Sequence, residues 1–395
     1  SLELLEQIRD LLNNGVVPFV PGEGVVGGLS PEAHATLALL GEGKAYYKGK
    51  LMSGKEALDA AGLKPYSIKS KEGLSLLNGT TSATALSTLA CYDSLVASKT
   101  AEILAAISYE TNKGNIKALD PRLMSVKNHS EQQETAENIL RMLEGSEVIK
   151  KYENYRMQDA YSLRCVAQMM GGAKRMLKQA YIAVTEELNS CSDNPIIYPT
   201  DEDDGIALMG GNFDRSYLGI HMDAICIAMT HIGKLAERRV DRLNNRHFSE
   251  YPPFLVKNPG LNSGFMITQY TSAGLLGEMK VLSHPASVDS IPTSANQEDP
   301  IIFGYYAGRK AYDVSKKLEN MLAIELMTQI QAIDFMDEDV KVSPVTQSIY
   351  DLVRAQSPTV EEDRHFYVDI TKIYDLITSR AVIECAENIV GELKF

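Results

Sequence analysis

The sequence predicts an all-α fold, a bundle of long helices followed by shorter C-terminal helices. Three observations carry that expectation. Apolar residues recur at three- and four-residue spacing along most of the chain. Several of these patterns run for more than about 25 residues, longer than the crossover helices of βαβ units and suited to extended bundle helices. Alternating strand patterns are rare and short, and no internal repeat or low-complexity tract interrupts the series.

Along the chain, the first helical run, 2–12, stops at Asn13-Asn14-Gly15. The stretch VVGGLSPEAH, 25–34, reads as a helix start, with Ser30 as N-cap, Pro31 as first helical residue and Glu32 as an acid in the first turn. The helix 31–40 stops at Gly41. The long run 80–111 has few breakers and ends at Asn112-Lys113-Gly114. Runs at 130–143, 167–189, 214–245, 263–282 and 300–333 follow, then 345–355 and 370–393. Residues 1–395 are expected to form a single helical unit, with 80–333 as the long-helix core and 343–395 as the C-terminal helices. Such a bundle gains buried surface by oligomerising.

Composition narrows the class. The 395 residues are 44% hydrophobic and 23% charged, which is ordinary globular composition with enough chain for a large core. The net charge of −13 argues against nucleic acid or an anionic membrane as main partner. No apolar run approaches a membrane span. The N-terminal run is acidic and amphipathic rather than a signal peptide, so the expected location is the cytoplasm. The chain starts without Met and already inside a helical pattern, as a fragment, a processed product or one of several polypeptides would. Its five cysteines form no CxxC or Cys/His pattern and are expected to be reduced and mostly buried. The seven histidines show no HExxH or similar spacing, so no metal is assigned. There is also no GxSxG elbow, no GxxxxGK[ST] phosphate loop and no GxGxxG after a strand.

Five polar or glycine-rich segments break the helical pattern: KEGLSLLNGTT (71–81), QDAYSLRC (158–165), SDNP (192–195) with GGNF (210–213), NPGLNSGFM (258–266) and SIPTSANQED (290–299). Each lies near a helix end, where free N–H groups favour carboxylates and developing negative charge. In QDAYSLRC, Arg164 offers two parallel N–H bonds to a carboxylate, and Tyr161 lies on the same helical face. Spacing alone reads first as an arginine paired with a structural acid and a core tyrosine, and also allows a ligand contact. Glu298 reads as a ligand-facing or a capping carboxylate. Asp299, before Pro300, reads as a helix cap. Asn78 reads as a cap for the long helix, and Phe213 as packing.

Taken together, KEGLSLLNGTT, QDAYSLRC, SDNP with GGNF, GLNSGFMITQYTSA and HPASVDSIPTSANQED resemble the histidine ammonia-lyases. Their wider family includes the phenylalanine and tyrosine ammonia-lyases and related aminomutases. The resemblance extends from about residue 2 to beyond Asp334. It implies a nearly all-helical homotetramer with active sites built from several subunits, an amino acid as substrate and no external cofactor or metal. The family's electrophile is a methylidene-imidazolone made from an Ala-Ser-Gly triplet. It answers a definite need, because the β-proton of an amino acid is weakly acidic and its amine a poor leaving group.

Carried over by position, the resemblance makes Asn78, Tyr161, Arg164 and Phe213 catalytic residues and Gln158, Glu298, Asn78 and Arg164 substrate-binding ones. Arg164 would hold the carboxylate, and Phe213 would line the electrophile's pocket. Glu298 stands where histidine lyases carry Glu and phenylalanine or tyrosine lyases carry Gln. A carboxylate there accepts from an imidazole N–H, a donor that an aryl ring lacks; this points to L-histidine as substrate and urocanate as product.

The chain departs from the family pattern in three places. It reads Gly27-Gly28-Leu29 where the family reads Gly-Ala-Ser-Gly-Asp-Leu, so Gly27 and Gly28 flank the electrophile's place. The family's N-terminal portion, with its catalytic tyrosine, is absent from the sequence and would be cleaved off, disordered or carried on a separate chain. Pro300 replaces the usual His after the Glu-Asp pair, and IIFG follows. Two further readings accompany the lyase: a non-catalytic binding or scaffold member, and a 2,3-aminomutase or tyrosine/phenylalanine lyase.

Overall fold

The computed structural model describes residues 1–200, 205–337 and 339–395. They divide into two units. The first comprises 1–88, 182–222 and 285–309, and the second 89–181, 223–284 and 310–395.

The first unit begins with α1 (Leu2–Asn13) and a three-stranded antiparallel sheet, β1 (Val16–Pro18), β2 (Lys44–Tyr47) and β3 (Lys50–Ser53), in the order β1-β2-β3. Val16 pairs with Tyr47, and Tyr46 with Leu51. Pro18, which has no N–H to donate, sits in an edge strand, where none is required. Helices α2 (Ser30–Leu39) and α3 (Gly54–Ala61) cover this sheet, and Leu4, Leu11, Val16, Leu39, Ala45 and Leu58 close the core between them. A reciprocal capping box between Ser53 and Glu56 starts α3, and Gly62 ends it in the left-handed conformation. The short α4 (Glu72–Leu77) and the antiparallel pair β4 (Ile196–Tyr198) and β5 (Ile206–Leu208) also belong to this unit.

The second unit holds most of the long-helix residues, from Thr81–Thr111, Val166–Leu188, Ser216–Asn244 and Gly304–Ile333. Met266–Leu282 and Ser130–Met142 join them. The C-terminal helices Pro344–Arg354, Phe366–Thr378 and Ala381–Val390 pack on one another and on Ser130–Met142. Ile103, Ile107, Ile225, Met229, Leu318 and Leu322 are buried. So are charges, and each is answered. Arg239 and Glu325, both without exposed surface, pair at 2.5 and 3.0 Å, and Gln329 donates to the same carboxylate at 2.8 Å. Glu102 receives Lys174, Thr135 and Asn138, each at 2.7 Å. Burial pushes the Glu325 carboxyl upward, and Arg239 opposes that shift.

The helical runs read from the sequence are present, with corrected ends. The N-cap of α2 is Leu29 at φ 71°, without a side-chain bond, and Ser30 is already helical. The run 370–393 is two helices. Arg380, at φ 69°, breaks it with no glycine or proline to announce the break. The last long helix starts at Gly304, so Asp299 caps nothing. Of the five cysteines, all free, only Cys91 and Cys226 are buried, each thiol pushed up to about 12 by desolvation. Cys191 is exposed, which corrects the expectation of mostly buried thiols. Among the described residues no helix is long and apolar enough to cross a membrane, and no His/Cys/Asp/Glu group is arranged to hold a metal ion.

Candidate functional site

The site is built on loops that leave or enter helices. At the C-terminal end of α4 the backbone turns extended at Asn78 (φ −86°, ψ 134°), which closes that helix and does not cap the one beginning at Thr81. Gly79 follows at φ 136°, close enough to Ser192 that a Cβ would stand 2.9 Å from its hydroxyl. That contact brings the SDNP segment alongside. The Asn78 amide donates to the Asn194 carbonyl at 2.9 Å and to Asp193 at 3.3 Å. Asp193 also accepts from Lys71 and Ser75 at 2.7 Å and from the Asn194 amide at 2.6 Å. Asn194 in turn accepts from the Gly210 amide at 2.8 Å, which fixes the GGNF loop and places Phe213, half-buried, against the same space.

Partial burial works against ionisation of Asp193, but the bonds from Lys71, Ser75 and the Asn194 amide outweigh it and hold the carboxyl below the ordinary aspartate value. A depressed folded pKa gives stability that is present above the unfolded value and lost as pH falls through the folded one. The Asn78 anchor should therefore survive acidification to the ordinary aspartate range and release only below it. A carboxyl-carbon NMR titration of Asp193 should show a midpoint below that range, and Lys71→Met should bring it back up.

Gly27 and Gly28 form the facing wall. Together with Asn78, Asn194, Phe213, Arg215, Thr293 and Glu298 they line a cavity of about 570 Å³. Gly28 takes φ 111°, and any Cβ there would overlap the guanidinium of Arg215. At Gly27 a Cβ would come within 3.3 Å of Ile301. On the rim, Ser294, Ala295 and Asn296 all have positive φ (49°, 54° and 67°), within a loop closed by backbone pairing of Thr293 with Glu298. Thr293 also donates its hydroxyl to one Glu298 carboxylate oxygen at 2.6 Å. The other oxygen has no bond among the described residues.

The structure thus brings together Asn78, Phe213, Glu298, Gly27 and Gly28, all within the first unit. Gln158, Tyr161 and Arg164 belong to the second and are absent from the lining of this cavity. There, Asp159 is buried and accepts from the Asn115 amide at 2.6 Å, and the Leu163 carbonyl accepts from Tyr109 at 3.0 Å. These bonds hold a short helix, Tyr161–Arg164, at the surface. Gln158 is exposed, Tyr161 is 67% exposed, and the Arg164 guanidinium stacks 4.6 Å from the Tyr161 ring centroid. Arg164 has no ion pair among the described residues, so the structural acid that spacing alone allowed is not there.

The NPGLNSGFM segment also lies in the second unit and serves the fold. Asp363 accepts from the Ser263 and Gly264 amides, both at 2.8 Å, at the start of Met266–Leu282. Three residues that shape the cavity were not singled out from sequence. Asp193 and Thr293 lie inside two of the marked segments, which was signal enough. Arg215 stands at the head of a helical run, where an arginine gives no sign of its surroundings.

Known proteins resemble the chain over nearly its whole length. The sequence profile of the aromatic amino acid lyases matches residues 1–355. The histidine ammonia-lyase of Alkaliphilus oremlandii is 44% identical over 392 residues, which is 98% of this chain and 76% of that protein. That of Streptococcus pyogenes serotype M1 is 42% identical over 394 residues, with 98% and 76% covered. Among solved structures, histidine ammonia-lyase from Trypanosoma cruzi superposes with a TM-score of 0.92 at 36% identity, covering 99% of this chain and 75% of that one. Tyrosine aminomutase from Streptomyces globisporus gives 0.91 at 30% identity, with 99% and 78% covered.

Proposed function

The chain belongs to the aromatic amino acid lyase family, and from that premise we propose that it eliminates ammonia from L-histidine to give urocanate. The observation that carries the substrate is Glu298, with one oxygen held by Thr293 and the other left to accept an imidazole N–H. Asn78, fixed by Asp193 and Asn194, contacts the substrate from the opposite loop, and Phe213 supplies an apolar wall. Arg164 holds the α-carboxylate, with Tyr161 and Gln158 beside it. The exposure of Tyr161 and Gln158 suits a homotetramer in which several subunits complete each site. The cytoplasm is the expected location.

Members of this family use a methylidene-imidazolone, and its place in this chain is the Gly27–Gly28 junction. The surroundings fit such a group. The two flanking residues carry no side chain, and the N-terminus of α2 follows at once with its positive potential. The resembled family carries three more residues at this point, the triplet that cyclises into one unit. When present, that unit is an electrophile that turns the amine into a leaving group. The chain's own residues bind the imidazole and the carboxylate, orient the β-carbon and exclude water.

Two measurements on the intact assembly test this. L-Histidine should produce the ultraviolet absorbance of urocanate, and the intact mass should be two waters below that encoded by the gene. A mass that places Gly27 directly against Gly28 overturns the lyase reading. It would favour a binding protein instead, a reading supported by the Arg215 guanidinium standing against Gly28. In that case calorimetry should show L-histidine bound without product. A product with nitrogen on the β-carbon would mark an aminomutase.

A further inference from the structure

We infer that Arg215 is an oxyanion-binding residue of the cavity, one that recognises the carboxylate of a bound ligand in addition to the Arg164 contact proposed above. Arg215 immediately precedes the helix Ser216–Asn244, lines the cavity beside Gly27 and Gly28, and is only 5% exposed. One of its terminal nitrogens donates to the Gly79 carbonyl. Its Nε has no acceptor, and it makes no ion pair among the described residues.

Three carboxylates act on it from a distance, and none is in contact with it. Glu32 accepts from the Ser82 amide at 2.9 Å through one oxygen, its other oxygen being unbonded, Glu187 accepts from the Thr80 hydroxyl, and Asp214 from the Ser216 amide at 2.9 Å. Burial pushes the guanidinium pKa down, and Glu32, Asp214 and Glu187 only partly oppose that. A buried cation with no carboxylate in contact is costly, and a ligand carboxylate entering the cavity relieves that cost with charge-assisted bonds.

The room for the guanidinium is built in. Gly28 and Gly304 both lie so close to Arg215 that a Cβ on either would overlap it. Gly28 occupies the place where the resembled family carries aspartate. An aspartate side chain there would claim the guanidinium's volume and its charge, whereas glycine leaves both available to a ligand. This assignment rests on the reading of the cavity as the ligand site, though not on turnover.

The test compares imidazole-4-acetate with 4-methylimidazole, which differ by one carboxylate, by calorimetry on the intact assembly. The unsubstituted protein should prefer the acetate. Arg215→Gln should reduce the affinity ratio by about tenfold or more, the usual scale of a lost charge-assisted hydrogen bond. Arg215→Lys should retain part of it. Gly28→Ala, which displaces the guanidinium without changing any charge, should reduce it too. If Arg215→Gln does not fold, Gly28→Ala and Arg215→Lys carry the test. An unchanged ratio in the folded variants, or no preference in the unsubstituted protein, overturns the assignment. An Arg215-dependent preference without urocanate formation would overturn the lyase reading and leave this one standing. Turnover with a preference indifferent to Arg215 would do the reverse.

Discussion

Replacing Glu298 by glutamine is expected to lower kcat/KM for L-histidine by about a hundredfold, and to raise turnover of L-phenylalanine relative to it. The size follows from the bond at stake. A hydrogen bond to a charged group contributes about 1.5–3 kcal/mol, and a site built to accept an N–H discriminates strongly against a ligand without one. The direction follows from geometry. Thr293 already occupies one carboxylate oxygen at 2.6 Å, so an imidazole bound as proposed would meet the other. In Glu298→Gln the amide must give its single oxygen to one of these donors and turn its NH₂ toward the second. Steady-state kinetics with both substrates, on protein that retains the far-ultraviolet spectrum of the unsubstituted form, decides it. An unchanged ratio would remove Glu298 from substrate selection.

The second large effect is on stability. Arg239→Met should destabilise the protein by about 3–5 kcal/mol, because it strands Glu325 in the interior without its cation. Arg239 and Glu325 have no exposed surface, and the pair is bidentate. Without Arg239, burial pushes the Glu325 carboxyl further above its ordinary value. A raised folded carboxyl gives stability at low pH that is lost as pH rises, so the variant should weaken from the ordinary glutamate range upward. The double variant Arg239→Met with Glu325→Met should recover most of the loss, since an apolar pair of similar volume carries no desolvation penalty. Urea denaturation of the three proteins across pH checks both statements. Equal stability of the single and double variants would mean that the stranded charge is not the cause.

The long helices were legible because a three-to-four-residue apolar period is a local signal and needs no knowledge of the fold. The break at Arg380 was not, because a left-handed arginine is imposed by packing rather than by chain chemistry. Within the site, Asn78, Phe213 and Glu298 were found from segments where glycines and amides interrupt the period, and the structure places all three on one cavity. The division of the remaining residues was invisible. Nothing in QDAYSLRC tells that Tyr161 and Arg164 stack at the surface of another unit. Nor does anything in GLNSGFM tell that its amides are spoken for by Asp363, some hundred residues away. Arg215 is the clearest omission. Its significance lies in what it lacks, and a missing counter-ion cannot be read from neighbours in sequence.

A side chain at position 28 would meet only the tip of Arg215, the movable end of a long side chain. The space at Gly28 and the reach of that guanidinium are therefore set together. Gly28→Ala should fold and turn the guanidinium aside, and Gly28→Ala combined with Arg215→Lys should weaken ligand binding by less than the sum of the two single changes.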